Sequence, residues 1–272
     1  YAHVVTLAED KRYDLSQEWA DAVYPDVGYY NGKFYSFFAP GISYMAAPFY
    51  MVGAKYNLGQ IATFAFISFM SILSLICLYK IGRNIFKLSI SASLLTVFTF
   101  AFATTSWSYA ITLYQHQVTV FFILSAFYAV WKYKQQGKLS FLWAAWIWIA
   151  YALSIAIDYP NAILLLPVMI YFLCSSISTH VETHTYKIKL RPAIILTSVF
   201  FILIMALHGY HNQTHFGGWA KLSGGIIGYK DIKEKNLLES ENPSALKEAE
   251  SKKNVGNFFR EEKTPRGFAI LL

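Results

Sequence analysis

The chain of 272 residues is 56% hydrophobic and only 14% charged, with a formal net charge of +7. A soluble globular domain carries about one charged residue in four, so this composition excludes an ordinary soluble fold and predicts a membrane protein. Nine of the 23 basic residues fall in three short loops, and the others are interspersed with acids. The positive charge therefore does not indicate a nucleic-acid partner.

Six uncharged, apolar stretches follow one another in the middle of the chain and predict six membrane-spanning helices. Each is near the ~20 residues that cross a hydrocarbon core. They run over Leu58 to Tyr79, Ser89 to Leu113, His116 to Trp131, Ser140 to Ile157, Tyr159 to Ser178 and Pro192 to Leu207. The two cysteines, Cys77 and Cys174, lie inside these stretches and are interpreted as small buried hydrophobic residues. The predicted fold class is therefore all-α, a polytopic transmembrane helix bundle over residues 58–210.

The loops between these stretches alternate between basic and nearly uncharged. The turns near Tyr114 and Asp158 contain no Lys or Arg, whereas the other three connections are basic. Their basic residues are Lys80, Arg83 and Lys87, then Lys132, Lys134 and Lys138, then Lys187, Lys189 and Arg191. The positive-inside rule predicts that the basic loops are cytoplasmic and that the Asp158 turn faces the outer side.

An even number of crossings would place both polar ends of the chain on that outer side. Residues 1–57 are predicted to form a first outer loop with juxtamembrane helices, and residues 211–267 a second outer loop. Phe268 to Leu272 is interpreted as the start of a further span. Because the chain begins at Tyr1 without Met or a signal-like segment, we expect it to be a piece of a longer protein.

The uncharged stretch from Phe34 to Ala54 has two interpretations. It could cross the membrane as a seventh span. Against this, it contains Pro40, Gly41 and Pro48, and a proline inside a helix costs about 3 kcal/mol unless neighbours compensate. A juxtamembrane or re-entrant pair of short helices at the outer interface also suits its many aromatic residues.

Four short passages stand in the predicted outer loops or at the outer ends of spans. They are Asn31 to Ser43 followed by Ala47 to Tyr50, then Tyr114 to Gln117, Asp158 to Asn161, and His211 to Gly217. In order and approximate spacing they resemble motifs of the GT-C superfamily of membrane glycosyltransferases, akin to prokaryotic protein mannosyltransferases and the aminoarabinose transferase of lipid A. Each motif alone is weakly specific, and the resemblance depends on their order.

The resemblance implies that a sugar moves from a polyprenyl-phosphate donor to an acceptor glycan, lipid or protein. The reaction would take place on the outer face of a prokaryotic inner or plasma membrane. It also implies that the catalytic Asp of the first outer loop lies upstream of Tyr1, so no catalytic residue is assigned. We expect no cofactor and no metal, because the sequence has no phosphate loop, dinucleotide fingerprint or His/Cys cluster with metal spacing.

Three candidate substrate-binding residues stand before the first span or at the start of the third. The hydroxyls of Tyr35 and Ser36 stand before Pro40-Gly41, where free backbone N–H groups suit a phosphate headgroup, although the same residues would also serve as a simple junction between loop and helix. His116 opens a span in which it is the sole ionisable side chain until the basic end. An intramembrane polar residue is a functional candidate, and a histidine held at the interface by hydrogen bonds is the alternative.

Three more candidates follow later in the chain. Asp158 is the sole acid between Asp26 and Glu182, in an Asp-Tyr-Pro-Asn turn with Tyr159. Its carboxylate would bind sugar hydroxyls, or it would simply form the turn before a proline-initiated helix. Arg266, beside the final apolar run, could reach a lipid phosphate.

Two other classes of function stay open at this stage. A transporter or flippase of lipid-linked sugars predicts inverted repeats and charged or broken helices near the midplane. The sequence has no visible repeat and no midplane charges in its spans. A catalytically silent membrane scaffold is the third possibility, and the residues just upstream of Tyr1 would distinguish it from an enzyme.

Overall fold

The computed structural model describes residues 1–135, 140–182 and 185–234, and between 178 and 190 it describes the backbone alone. Its elements, in chain order, are α1 (Ala2–Glu9), α2 (Gln17–Ala22), β1 (Val27–Tyr30), β2 (Lys33–Ser36), α3 (Gly41–Ala54), α4 (Gly59–Asn84), α5 (Ile90–Phe102), α6 (Ser106–Ala110), α7 (Gln115–Lys134), α8 (Ser140–Ile157), α9 (Asn161–Leu164), α10 (Leu166–Ser175), β3 (Ile177–Glu182), β4 (Thr185–Leu190), α11 (Pro192–Phe216), β5 (Ile227–Gly228) and α12 (Tyr229–Glu234).

The protein is mostly helical, which confirms the predicted all-α class at that level. Two small antiparallel sheets, β2-β1-β5 and β3-β4, are additions that the sequence did not lead us to expect. The chain divides into two compact units. One, the loop unit, comprises Tyr1–Ala39 and Leu207–Leu272, and the other, the helical unit, comprises Pro40–Ala206.

A tight β-hairpin forms the centre of the loop unit. β1 and β2 pair antiparallel with Tyr30 opposite Lys33, so that only Asn31 and Gly32 remain in the turn. Both have positive φ, 48° for Asn31 and 79° for Gly32. A two-residue turn with two positive φ angles favours Asn-Gly, because it matches the twist of the strands and glycine has no Cβ to clash. Gly32 is therefore a turn residue.

Alternating apolar side chains of this hairpin build the core of the loop unit. Val27, Tyr29 and Phe34 are buried together with Leu15, which precedes α2, and with residues of α2, β5 and α12, namely Ala20, Ile227, Tyr229 and Ile232. The α2 helix begins where the Ser16 hydroxyl accepts a hydrogen bond from the Trp19 backbone N–H, an N-cap that typically contributes about 1 kcal/mol.

The stretch from Phe34 to Ala54 does not form the expected pair of short helices. Its first residues belong to β2, and a single helix of 14 residues, α3, follows and continues through Pro48. Fourteen helical residues span about 21 Å, which is too short for a hydrocarbon core of about 30 Å. A Cβ at Gly41 would lie 2.5 Å from the Ala156 carbonyl oxygen at the end of α8, and one at Gly53 would lie 2.7 Å from the Leu58 carbonyl oxygen before α4. The close packing of both glycines anchors α3 near the end of α8 and the start of α4.

Among the described residues, three helices are long and apolar enough to cross a membrane: α4, α8 and α11, with 26, 18 and 25 residues. Each begins within one residue of the start of one of the six predicted spans and covers the remainder of that span. Much of their apolar surface faces outward. In the most apolar part of α11, only 17% of the residues are buried inside the protein. Soluble monomers rarely expose apolar patches beyond a few hundred Å², so this surface is typical of contact with hydrocarbon.

The other three predicted spans are shorter, broken or more polar than expected. Ser89 to Leu113 divides into α5 and α6, since Thr104 Oγ1 donates to the Phe100 carbonyl and accepts from the Ser106 N–H. Such side-chain bonds compete with the helical ladder. Tyr159 to Ser178 divides into α9 and α10, because Pro167 at the start of α10 has no N–H to continue the helix. His116 to Trp131 lies within α7, which is 20 residues long but begins with Gln115-His116-Gln117 and ends with Lys132 and Lys134.

Cations gather at one end of the helical unit, which we call the basic end. The α4 and α7 helices end side by side there, joined by a 2.7 Å hydrogen bond from Asn84 Nδ2 to the Tyr128 hydroxyl. At the same end Ser176 Oγ donates to the Tyr133 hydroxyl at 3.1 Å, and the Arg191 N–H donates to the Ser176 carbonyl at 3.1 Å. The basic side chains carried by these helix ends are Lys80, Arg83, Lys87, Lys132, Lys134 and Arg191.

Candidate functional site

Opposite the basic end, the start of α7 and the end of α8 come together, and we call this region the Asp158 end. Tyr114 is extended, with φ −105° and ψ 146°, and α7 begins immediately after it without a side-chain cap. Gln115 and His116 thus occupy the first helical turn, where the backbone N–H groups have no partner within the helix. His116 is exposed and Gln115 half-buried.

Asp158 closes the facing turn. Its backbone N–H donates to the Ser154 carbonyl at 3.0 Å, and its own carbonyl accepts from the Asn161 N–H at 3.0 Å. Pro160 then occupies the N-cap position of α9, so its missing N–H costs no helical hydrogen bond. The structural role predicted for the Asp-Tyr-Pro-Asn turn is therefore confirmed, and the half-buried Asp158 carboxylate faces residues of α7.

Two neighbours act on the charge of the Asp158 carboxylate. Partial burial raises its pKa above the ordinary value, because a charged carboxylate loses solvation there. The nearby His116 imidazole and a hydrogen bond from the Gln115 side chain act in the opposite direction and lower that pKa. The structure thus brings together His116 and Asp158, two candidates that lie 42 positions apart in sequence.

Aromatic rings surround the exposed imidazole of His116. The Tyr109 ring packs edge-on against it at 5.2 Å between centroids, and the Tyr114 ring lies roughly parallel to it at 6.3 Å. Tyr114 is 52% exposed. This arrangement offers an imidazole, an amide and a carboxylate as hydrogen-bonding groups beside flat apolar faces, which is a chemistry suited to polyhydroxylated or anionic ligands.

The N-terminus of α3 comes to the same end. Gly41 packs against the main chain of Ala156 and Ile157, one residue before Asp158. Pro40-Gly41, from the first motif passage, therefore lies close to the Asp158 turn. Tyr159, the other candidate in the turn, is half-buried, and its carbonyl accepts a hydrogen bond from the Ala162 N–H at 3.1 Å.

A buried polar network beneath the turn was missed by the sequence analysis. Asn161, only 2% exposed, donates from Nδ2 to Thr119 Oγ1 at 3.0 Å and to the Ser154 carbonyl at 2.9 Å. These bonds connect the turn to α7 and α8 and so fix where Asp158 lies relative to His116. Polar residues inside two predicted spans were the available signal, because buried polar groups in apolar surroundings need partners.

Tyr35 and Ser36 lie in the loop unit, where both have structural contacts. The Tyr35 side chain is only 3% exposed and packs on Tyr13 and Phe216. Burial, followed by the negative charge of Asp14, raises the pKa of the Tyr35 hydroxyl to about 12, so the hydroxyl stays protonated. The Ser36 N–H donates to His3 Nε2 at 2.8 Å, and its hydroxyl accepts from the Phe38 N–H at 3.2 Å.

A second group of ionisable residues in the loop unit was also missed. The buried Asp14 carboxylate pairs with Arg12 and Lys33. Burial alone would raise its pKa, but the hydrogen bonds from both cations outweigh burial and hold that pKa below its ordinary value. Nearby, His3 stacks on Tyr13 at 4.5 Å, and His211 packs against the same ring at 4.4 Å.

Arg266 lies outside the described residues, as do the final apolar run and most of the second outer loop. Among the described residues, no group of three or more His, Cys, Asp or Glu side chains could hold a metal ion. Asn212, which begins an Asn-Gln-Thr glycosylation pattern, is only 1% exposed, and its amide donates to the Trp219 carbonyl at 3.3 Å. The folded loop unit therefore does not offer this amide to a modifying enzyme.

No protein-family model, curated protein or solved structure matches the chain. The class that the fold defines is a mostly helical protein with three helices that can cross a membrane by length and composition. Its candidate site is the group of Gln115, His116 and Asp158 at the Asp158 end of the helical unit.

Proposed function

We propose that the chain is part of an integral membrane glycosyltransferase that moves a sugar from a polyprenyl-phosphate donor to an acceptor hydroxyl. The observation that supports this most is the convergence of three separate motif passages at one end of the helical unit. These are the passages that contain Pro40-Gly41, Gln115-His116 and Asp158-Tyr159, and they resemble the corresponding passages of GT-C enzymes in order and spacing.

In the proposed reaction the acceptor oxygen attacks the anomeric carbon of the donor sugar. The bond from that carbon to the phosphate oxygen breaks with inversion, polyprenyl phosphate leaves, and a carboxylate accepts the acceptor proton. We assign Asp158 to sugar hydroxyls, and His116 with Gln115 to the phosphate or a sugar hydroxyl. The roles of Tyr35, Ser36, Tyr159 and Arg266 in substrate binding stay predictions.

The proposal includes a topology of six crossings. α4, α8 and α11 are long enough to cross by themselves. We propose that α5 with α6, α7, and α9 with α10 supply the other three crossings. The basic end would then face the cytoplasm of a prokaryotic cell, and the Asp158 end would face outward. A polyprenyl chain would remain in lipid while its phosphate entered the site from the outer leaflet.

A transfer assay tests the proposal. The full-length protein, in membranes, is supplied with a panel of polyprenyl-phosphate sugars, and wild type is compared with His116→Ala and Asp158→Asn. Removing one partner of a charge-assisted hydrogen bond costs about 1.5–3 kcal/mol, so we expect kcat/KM to fall roughly 10- to 100-fold in each variant. Lys80→Gln, an exposed change at the basic end, is the control and should retain wild-type activity.

Two results would contradict the proposal at different levels. Full activity in both variants would remove the site assignment while leaving a glycosyltransferase. No transfer by the wild type from any donor would overturn the activity itself. If the protein then moved lipid-linked sugars between leaflets, the transporter hypothesis would be supported. If it neither transferred nor moved these sugars, the hypothesis of a catalytically silent scaffold would remain.

A further inference from the structure

The cations of the basic end have no acidic counterparts in the neighbouring helices. Asp158 is the sole acid between Asp26 and Glu182, and it lies at the opposite end of the helical unit. Cations near a helix C-terminus are often explained by the helix dipole and by the last carbonyl groups. Arg83 has a main-chain partner of another kind, since its guanidinium donates to the Leu88 carbonyl in the loop that follows α4.

Three other cations of this end lie against aromatic rings instead. Lys132 Nζ is 5.0 Å from the centroid of the Trp131 ring, and the Arg191 guanidinium is 5.2 Å from that of Tyr133. Lys134 Nζ lies 5.4 Å from the Tyr171 ring centroid and donates to the Tyr171 hydroxyl at 3.3 Å. Within the described residues, no carboxylate or main-chain carbonyl accepts a hydrogen bond from these three side chains.

An aromatic face compensates only part of a cation's charge and leaves most of its N–H groups able to bind oxygen. A cation–π contact at an exposed site contributes about 0.5–1 kcal/mol. Hydrogen bonds from Arg or Lys to phosphate are roughly twice as strong as neutral ones. The three side chains therefore have unused capacity for an anion with several oxygens.

Two of these cations lie at the junction of α7, α10 and the start of α11. Ser176 accepts the Arg191 N–H with its carbonyl and donates from its hydroxyl to Tyr133, which fixes Arg191 beside the last turn of α7. Lys134 belongs to the same turn and reaches Tyr171 of α10. Next to Tyr171, the apolar side chains of Ile170 and Leu173 are exposed on α10, with 51% and 44% of their surface accessible.

We infer that this junction binds the headgroup phosphate of an anionic phospholipid. Lys134 and Arg191 donate to the phosphate oxygens, and Lys132 adds to the positive field. Trp131 and Tyr171 lie at headgroup level, where aromatic residues collect in membrane proteins. The apolar surface of α10 receives an acyl chain, which is why we assign a lipid rather than a free phosphate. Basic pockets between membrane helices bind anionic headgroups by this chemistry.

A thermal-melting titration tests this inference independently of any enzymatic activity. The purified protein is placed in nanodiscs of phosphatidylcholine with increasing phosphatidylglycerol, and its melting temperature is recorded at each composition. A ligand that binds the folded state alone raises the melting temperature, and the rise grows with the ligand concentration relative to its Kd. Wild type should show this rise. In Lys134→Gln/Arg191→Gln we expect the lipid fraction that produces a given rise in melting temperature to increase roughly fivefold per cation removed.

Matched controls separate the junction from a general charge effect. Lys55→Gln/Lys80→Gln removes two exposed cations that are not part of the junction and should retain the wild-type titration. An equal shift in that control would overturn the inference, as would a melting temperature that does not depend on phosphatidylglycerol. Protection of the wild type in pure phosphatidylcholine by millimolar inorganic phosphate would show a free-phosphate site instead. If the double variant does not fold, the same titration is made with the single variant Lys134→Gln, which changes an exposed side chain.

Discussion

Asp158 shows how much of a residue's chemistry depends on its neighbours. Its carboxylate is half-buried, which favours the neutral acid, while His116 and Gln115 favour the charged form. A sugar hydroxyl is bound most strongly by a charged carboxylate. The pH range in which the candidate site works should therefore depend on the side chain of His116.

Replacing His116 by Ala should raise the pKa of Asp158 further, because it removes an interaction that lowers this pKa. The carboxylate would then become charged only at a higher pH than in the wild type. The measurement is an NMR titration of selectively labelled Asp carboxyl carbons, with Asp158→Asn to assign the signal. Tyr114→Phe is the neighbouring control and should leave the titration where it is. An unchanged Asp158 titration in His116→Ala would contradict the contact.

His3 predicts a pH dependence of stability in the loop unit. Burial, which penalises the charged imidazole, lowers the pKa of His3 from 6.5 to about 3. Its imidazole is therefore neutral at pH 7, and Nε2 accepts the Ser36 N–H. Since the unfolded chain binds a proton that the folded one rejects, stability is complete above about pH 6.5. It should fall by about 1.4 kcal/mol per pH unit as the pH drops toward 3.

A comparison of melting temperatures at pH 8 and pH 5 measures this contribution. The window lies above the ordinary pKa of Asp14, whose own value is lowered, so that carboxylate does not interfere. In His3→Gln the amide oxygen can still accept the Ser36 N–H but cannot titrate, and the difference between the two melting temperatures should become smaller. A difference as large as that of the wild type would show that His3 is not its source.

Among individual residues, sequence reasoning found those whose chemistry stands out against apolar surroundings. His116 and Asp158 were found because they are ionisable groups beside long uncharged stretches. The neighbouring polar residues Asn161 and Thr119 were missed. Both side chains are uncharged, and the hydrogen bond between them is known only from the structure. Tyr35 was expected to contact substrate, but its contacts in the loop unit depend on Phe216, which is distant in sequence.

The elements that were predicted least well are the short ones. Long apolar runs predicted α4, α8 and α11 because hydropathy alone specifies them. The β1-β2 hairpin was missed although Asn31-Gly32 between two apolar segments is a strong hairpin signal. The aromatic residues that follow had been interpreted as interfacial helix. The breaks at Thr104 and Pro167 depend on single side chains, which a count of apolar residues does not register.

Close packing of α3 on α8 makes Gly41 a sensitive position. A methyl group there would lie 2.5 Å from the Ala156 carbonyl oxygen, so the two helices would have to move apart. Gly41→Ala should cost about 1–3 kcal/mol of stability, measured by denaturation, and should also reduce sugar transfer because the Asp158 turn would shift. Gly225→Ala places the same methyl group in open space and should do neither. Equal stability of the two variants would contradict the observed packing.

For the whole molecule, the alternation of basic and uncharged loops predicted which helix ends lie together. The basic ends of α4 and α7 are joined through Asn84 and Tyr128, and Asp158 lies opposite them beside His116. The positions of the charges in the sequence predicted this grouping of helix ends, because the charges that orient a membrane helix lie at its ends. The division into two units could not be predicted in the same way, since the loop unit combines segments from distant parts of the chain.

Cysteine labelling from either side of the membrane tests the proposed sidedness. In a background with Cys77→Ala and Cys174→Ala, single variants Lys87→Cys and Tyr114→Cys place a thiol at the two ends of the helical unit, both at exposed positions. A membrane-impermeant maleimide added to intact cells should label Tyr114→Cys, and Lys87→Cys should react only after the membrane is opened. The reverse pattern would contradict the orientation, and labelling of both positions from outside would contradict an odd number of crossings between them.

The separation of cations from Asp158 also has an electrical consequence. Moving one elementary charge through a membrane potential of 100 mV involves about 2.3 kcal/mol. In a cell that is negative inside, every cation of the basic end would have to be carried against this potential for the helical unit to reverse its direction. If the protein has the orientation proposed above, a larger membrane potential would therefore make that orientation harder to reverse.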